Sequence, residues 1–537
     1  MTEAPSSAES TPPRHPIEDE IAPGYAFEGT ALELGGLMAD ASTLTGTRIR
    51  IPLAMLNRHG LVAGATGTGK TKTLQLMAEQ LSAAGVPVFA ADIKGDLSGL
   101  AVPGEGGEAI TERAASVGQE WTACGCPVEL FAIGGVGTGV PVRVTMSSFG
   151  PVLLAKVLGL NATQESSLEL VFHYAREQEL PLVTLADLRA VVKFLVSAEG
   201  KADLKELGGL SSATAGVILR ELIGFSAQGA DAFFGEPELD TADFLRVLDG
   251  RGVVSLLELP NLQDRPALFS TFLMWLLGDL FRELPEEGDL DQPKLVFFFD
   301  EAHLLFDDAS DALLDQVAQT VRLIRSKGVG VFFVTQSPTD VPDEVLAQLG
   351  SRVQHQLRAH TPNDAKALKA TVSTYPHSAY DDLGQVITTL GIGEAVVTVM
   401  SEKGAPTPVA WTRLRAPESL MDPAPAATAE AIVAGSPLAA KYAAAAPGAM
   451  AEQVLAQRAA ERAEAADGAD GASGEARPEA SGKAGASKAG AKKGRGGAIA
   501  DAAWNSADDI AAAIVPRGKK QMARTITNAL KKVFRGR

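Results

Sequence analysis

The segment Gly64-Ala65-Thr66-Gly67-Thr68-Gly69-Lys70-Thr71 satisfies G-x-x-x-x-G-K-[ST] at every fixed position. Glycines in such a loop let successive backbone N–H groups turn inward around a phosphate, and a helix starting at the lysine adds its positive end. Lys70 is placed to reach the β- and γ-phosphates of a nucleoside triphosphate, and the Thr71 hydroxyl to ligate Mg²⁺. ATP and Mg²⁺ are the expected cofactors. Asp300 and Glu301 close the apolar run "KLVFFFDE". At the ligand edge of a parallel sheet, Asp300 would meet the metal beside Thr71, and Glu301 would orient and deprotonate the attacking water. Gln336 ends a further apolar run, "VGVFFVTQ"; it either senses the γ-phosphate or simply closes its strand. In the helical stretch "DALLDQVAQTVRLIRSKG", Leu314, Val317, Val321 and Ile324 form a core stripe, with Arg325 at its edge and Arg322 pointing away. Arg325 is the preferred arginine to act on a neighbouring subunit's nucleotide, a solvated arginine being the plain alternative. No N-K-x-D segment supports guanine reading.

These residues need a scaffold that brings distant strand ends to one edge. Short apolar runs at 60–64, 86–92, 128–133, 252–259, 294–301 and 329–336 are mostly separated by helical patterns. That alternation predicts an α/β protein with a mostly parallel central sheet buried on both faces. Between about 150 and 250 the chain reads as a helical insertion, with Leu168, Val171, Phe172 and Tyr174 at helical spacing.

Composition supports one large α/β domain with appendages: 537 residues, 46% hydrophobic and 5% aromatic. A net charge of −18 argues against a surface that coats nucleic acid, while leaving room for a local basic channel. Cys124 and Cys126, in "ACGCP", are too few for a structural zinc site and are expected to be reduced thiols. The most apolar window, "LFSTFLMWLLGDLF", is shorter than the roughly 18 residues a membrane span requires. The N-terminus has no apolar signal core, so the cytoplasm is the expected compartment.

Residues 1–28 read as a disordered lead and 29–415 as the ATPase domain. Residues 416–502 read as an Ala/Gly/Ser-rich disordered linker, and 503–537 as a basic amphipathic tail helix. The last 21 residues carry eight Lys or Arg and no acid. Such a helix suits anionic lipid, nucleic acid or an acidic partner face, or is a solvated tail.

The segments "NRHGLVAGATGTGKT", "VPVFAADIKGDLSG", "FFGEPELD", "KLVFFFDEAHLLF", the run from Val321 to Lys369 and "GEAVVTVMSEKGAP" together resemble the HerA-like C-terminal domain ATPases, within them the YjgR-like bacterial proteins. The resemblance covers roughly residues 30–420. It implies a RecA-like P-loop NTPase core of the HerA/FtsK class, whose members are typically hexameric motors acting on DNA. It places Lys70 and Thr71 in Walker A, Asp300 and Glu301 in Walker B, Gln336 as sensor and the Arg322/Arg325 region as the trans-acting arginine. In "DIKGD", Asp92 or Lys94 would face the nucleotide or a neighbouring subunit, or the segment is a plain strand-to-loop turn. One departure stands out: residues 29–63 are too few for the N-terminal β-barrel of HerA. Two functional readings follow, an oligomeric DNA motor (helicase- or translocase-like) and an ATP-gated switch that binds a protein or membrane partner through the basic tail.

Overall fold

The computed structural model describes residues 15–204, 207–259, 266–288, 290–306, 311–376, 378–443 and 450–471. Its strands, in chain order, are β1 (Ala31–Ala39), β2 (Ser42–Pro52), β3 (Gly60–Ala63), β4 (Val88–Asp92), β5 (Val128–Ile133), β6 (Val140–Val142), β7 (Val247–Leu248), β8 (Arg251–Gly252), β9 (Val254–Glu258), β10 (Leu295–Phe299), β11 (Val329–Thr335), β12 (Ser351–Gln354), β13 (Glu394–Thr398) and β14 (Ala410–Leu414). All but the small β7–β8 hairpin form one 12-stranded sheet in the order β2-β1-β14-β13-β12-β3-β11-β10-β4-β9-β5-β6. From β12 across to β6 every pairing is parallel, as the buried apolar runs require. The remaining pairings, from β12–β13 to β1–β2, are antiparallel.

Alternation along the central strands divides the interior in two. Phe297, Phe299 and Phe333 face one core, which they share with Leu168, Val171, Leu188 and Val191 of the helical insertion. Phe298 and Phe332 face the other, against Leu74, Met77 and Leu81 of the helix Lys70–Ala83. The insertion is thus a cap on one face of the sheet. Its main helices start at polar caps: Asn161 and Thr184 each close a capping box, and Ser211 accepts from the N–H of Thr214.

Two boundary readings are corrected. Residues 15–28 are folded: a helix, Pro16–Ile21, runs into a 3₁₀ turn, Ala22–Tyr25, burying Ile21 and Tyr25. The Tyr25 hydroxyl lies 3.0 Å from the Val397 carbonyl and 2.8 Å from that of Pro408, and joins the segment to the sheet. The apolar pair hidden among polar residues was enough to dock it. Residues 31–52 form the antiparallel hairpin β1–β2, which extends the central sheet. The segment after 416 is also partly packed: helices Ala426–Gly435, Ala439–Tyr442 and Ala451–Gly471 follow, with Leu438, Tyr442 and Ala451 in the first core. Tyr442 is anchored by the N–H of Asp240, 3.0 Å from its oxygen, and Ala451 N–H donates to Asp187. Alanine-rich composition concealed these few anchors. The expected tail helix at 503–537, the rest of the linker from 472 and the lead 1–14 lie outside the described residues. Among the described residues, no helix is long and apolar enough to cross a membrane, and both cysteines are free thiols.

Candidate nucleotide site

β3 delivers Ala63 directly into the glycine loop, and the helix Lys70–Ala83 leaves it. Gly67 and Gly69 have φ of 81° and 113°, the left-handed region in which a side chain is strained. Gly64 is required by space as well: a Cβ there would lie 2.5 Å from His355 Cβ. The loop is tied to its neighbours by Gly64 N–H to Thr335 O (3.2 Å), Ala65 N–H to Gln356 O (2.8 Å) and Gly393 N–H to Thr68 O (3.1 Å). Within it, Lys70 Nζ donates to the carbonyls of Gly64 (2.6 Å) and Ala65 (3.2 Å). Burial holds the Lys70 ammonium below the usual lysine range, opposed chiefly by the charge of Glu301. Thr68 caps the turn on Ala65 O (2.7 Å), while Thr66 and Gly67 form its exposed rim.

Strand order decides what faces this loop. β11 lies between β3 and β10, so Gln336 leaves the sheet between the P-loop and the Asp300–Glu301 pair. Asp300 is 1% exposed. Burial pushes its carboxyl up to about 7, with Lys94 pulling the other way. Its Oδ1 accepts the Glu301 N–H (2.9 Å), whereas the buried Oδ2 has no hydrogen-bond partner among the described residues. An unsatisfied carboxylate oxygen at the ligand edge, together with Thr71 at the helix start, fits the oxygen donors that Mg²⁺ takes from a P-loop protein. The phosphate cradle likewise fits ATP.

Glu301 has φ of 48°, so the chain turns sharply and the carboxylate is directed across the strand ends. It is ion-paired with Lys94, and His303 Nδ1 lies 3.3 Å from its Oε2. Burial would raise the Glu301 carboxyl, but the hydrogen bond and charge of Lys94 and the charge of His303 hold it below the usual carboxylate range. It stands as an anion, the state a base needs.

The "DIKGD" turn resolves into two roles. Asp92 is fully buried and faces its own turn, accepting the N–H groups of Gly95 (2.7 Å), Asp96 (3.2 Å) and Leu97 (2.8 Å). Lys94 is carried by that turn onto Glu301. Burial pushes the Asp92 carboxyl up to about 7, so the folded state keeps a proton that the unfolded chain releases near pH 4. Its contribution to stability is therefore full below about pH 4 and declines as pH rises toward 7. Urea midpoints measured at about pH 5 and about pH 8 should fall more in the wild type than in Asp92→Asn; equal falls would contradict this assignment.

Arg325 and Arg322 are not brought to this edge. They precede β11, whereas Gln336 follows it, and seven strand residues separate the two ends by roughly 20 Å. At that far edge they line a cavity of about 600 Å³ with Arg58, Arg352, His59 and Tyr375, and among the described residues no carboxylate lines it. Arg58 and Arg352 escaped the sequence reading: they are far apart in sequence and meet at this cavity only because β12 pairs with β3, whose preceding turn ends at Arg58. His59 is buried and held down to about 4 by that burial, so its neutral ring accepts the Val331 N–H (3.1 Å) at the start of β11. His355 was missed too. It follows β12, donates its N–H to Ala63 O (2.7 Å), and pairs through Nε2 with the Thr73 hydroxyl (2.9 Å) beneath the loop. Burial and then the charge of Lys70 lower it to about 4.

A glycine cradle, an acidic pair and an intervening polar strand end on a parallel sheet define a P-loop ATPase. The family model described as "Helicase HerA-like C-terminal" matches residues 39–536, and the chain belongs to that family. It is 22% identical over 400 residues to the "DNA double-strand break repair helicase HerA" of Saccharolobus solfataricus, covering 72% of this chain and 69% of that protein. Among solved structures, it is similar to plasmid coupling protein TrwB in complex with ADP and Mg²⁺ (16% identity, 73% of this chain and 97% of that chain, TM-score 0.47). It is also similar to VirB4 of Thermoanaerobacter pseudethanolicus (13% identity, 73% and 98%, TM-score 0.45).

Proposed function

We propose that this chain is an oligomeric, Mg²⁺-dependent ATP-hydrolysing motor that acts on DNA. The observation that carries the reading is the division of the machinery between two edges of one sheet. The P-loop, Asp300, Glu301 and Gln336 gather at one edge, and Arg322 and Arg325 stand at the other. Lys70 and the loop N–H groups bind and orient the phosphates, Thr71 and Asp300 hold the metal, and Glu301 takes a proton from the attacking water. Bound Mg²⁺ would neutralise charge on the phosphate oxygens. A chain with its arginines at the far edge receives the trans charge from a neighbour, which makes a ring, a hexamer by family resemblance, the economical assembly. DNA as substrate is supported by family membership and by the DNA repair helicase to which the chain is similar.

The test is steady-state ATP hydrolysis by the full chain with and without duplex and overhang DNA, with Glu301→Gln to exclude contaminating activity. Strong stimulation by DNA is expected, and its salt sensitivity should survive removal of residues 503–537. Turnover indifferent to every DNA form would overturn the motor reading and favour the ATP-gated switch working through a protein or membrane partner.

A further inference from the structure

Glu301 is held from the neighbouring strand. β10 lies between β11 and β4, and the turn after β4 sends Lys94 onto the Glu301 carboxylate as an ion pair and hydrogen-bond donor. The Lys94 arm is itself fixed at its root. Three N–H groups of its turn converge on the buried Asp92 carboxylate, so the backbone that carries Lys94 has one conformation even though the side chain is 42% exposed. The Glu301 root is fixed in turn by its left-handed φ and by the N–H it donates to Asp300. A carboxylate on a flexible side chain, paired with an ammonium whose own root is fixed, has its rotameric freedom restricted before any nucleotide arrives.

We propose that Lys94 is a positioning residue for hydrolysis: it aims the Glu301 carboxylate at the attacking water and acts through Glu301. The inference rests on the reading of Glu301 as the base. Three considerations favour this role. The Lys94 ammonium is committed to Glu301, whereas phosphate binding has its own lysine, Lys70, already inside the glycine loop. A general base misplaced by about 1 Å costs on the order of 10²-fold in rate. Asp92 explains why the turn carries a buried carboxylate with no ligand of its own: its three N–H bonds set where Lys94 stands.

The test compares Lys94→Met, Lys94→Arg and Glu301→Gln in the full chain, alone and with Lys94→Met combined with Glu301→Gln. For Lys94→Met, kcat for ATP hydrolysis should fall by about 10²-fold while KM and the binding of a fluorescent ATP analogue stay as in the wild type. Retained binding establishes that the variant is folded. Lys94→Arg, which keeps a cationic donor, should recover most of the loss. In the Glu301→Gln background, Lys94→Met should add nothing. A KM that rises in step with the fall in kcat would overturn the proposal in favour of a phosphate ligand. An increased kcat would overturn it in favour of a brake on the base, and an unchanged kcat would overturn it outright. Wild-type turnover in Glu301→Gln would instead remove the underlying reading of the base. The two failures are therefore distinguishable.

Discussion

Substituting Glu301 with Gln is expected to lower ATP turnover by about 10²- to 10⁴-fold, the range supplied by a positioned general base, while leaving nucleotide affinity near that of the wild type. The geometry separates the two effects. In the proposed site the phosphate contacts would come from Lys70 and the loop N–H groups, and the unpartnered Asp300 Oδ2 would remain for the metal whether or not its neighbour is charged. Gln preserves the volume and one acceptor of the side chain but cannot take a proton. Its carbonyl oxygen can still accept from the Lys94 ammonium, but the charge of the pair is lost, so the Lys94 arm should be held less firmly as well. Single-turnover hydrolysis with equilibrium binding of a fluorescent ATP analogue reads both quantities. Loss of binding equal to the loss of turnover would mean that Glu301 belongs to the binding site, and full turnover would end its assignment as base.

Replacing Arg325 by Ala is expected to reduce kcat by about 10³-fold or more, the scale of an arginine acting on a transferred phosphoryl group, without weakening ATP binding by the same chain. Roughly 20 Å of strand stands between Arg325 and its own P-loop edge, so on the proposed reading the lost charge would be one presented to another copy. Mixing tests this directly. Arg325→Ala and Lys70→Ala chains should each be nearly inactive alone. Together they should recover part of the activity, because an intact P-loop on one chain can meet an intact arginine on the other. Recovery in the mixture with Arg322→Ala in place of Arg325→Ala, and none with Arg325→Ala, would move the role to Arg322. No recovery with either, and specific activity independent of protein concentration, would show that the site works within one chain.

The local geometry of the proposed phosphate edge was legible because it is written in consecutive residues. Glycines that need left-handed backbone, a lysine at a helix start and an acid after a five-residue apolar strand are each written in consecutive residues. Strand identity was equally plain for the buried central runs, where the apolar sequence is continuous. The edges of the domain were less so. Ile21 and Tyr25 in the lead, and Leu438 and Tyr442 after the sheet, are single anchors in polar or alanine-rich surroundings. Docking by one or two side chains leaves no period to detect.

What the chain by itself determined is the local pattern of the proposed nucleotide site, a glycine turn running into a helix and an acidic pair after an apolar strand, since each depends on neighbours within a few residues. What only the tertiary structure decided is which distant groups serve them. His355 under the loop, Lys94 on Glu301, Asp92 as the anchor of its turn, and Arg58 and Arg352 beside Arg322 and Arg325 all depend on strand order and register. The hydrophobic pattern marks a strand as buried without naming its partners. The placement of β11 between β3 and β10, and of β4 beyond β10, arises from the packing of whole elements on both faces of the sheet, and it is that packing which turns separate strand ends into one site.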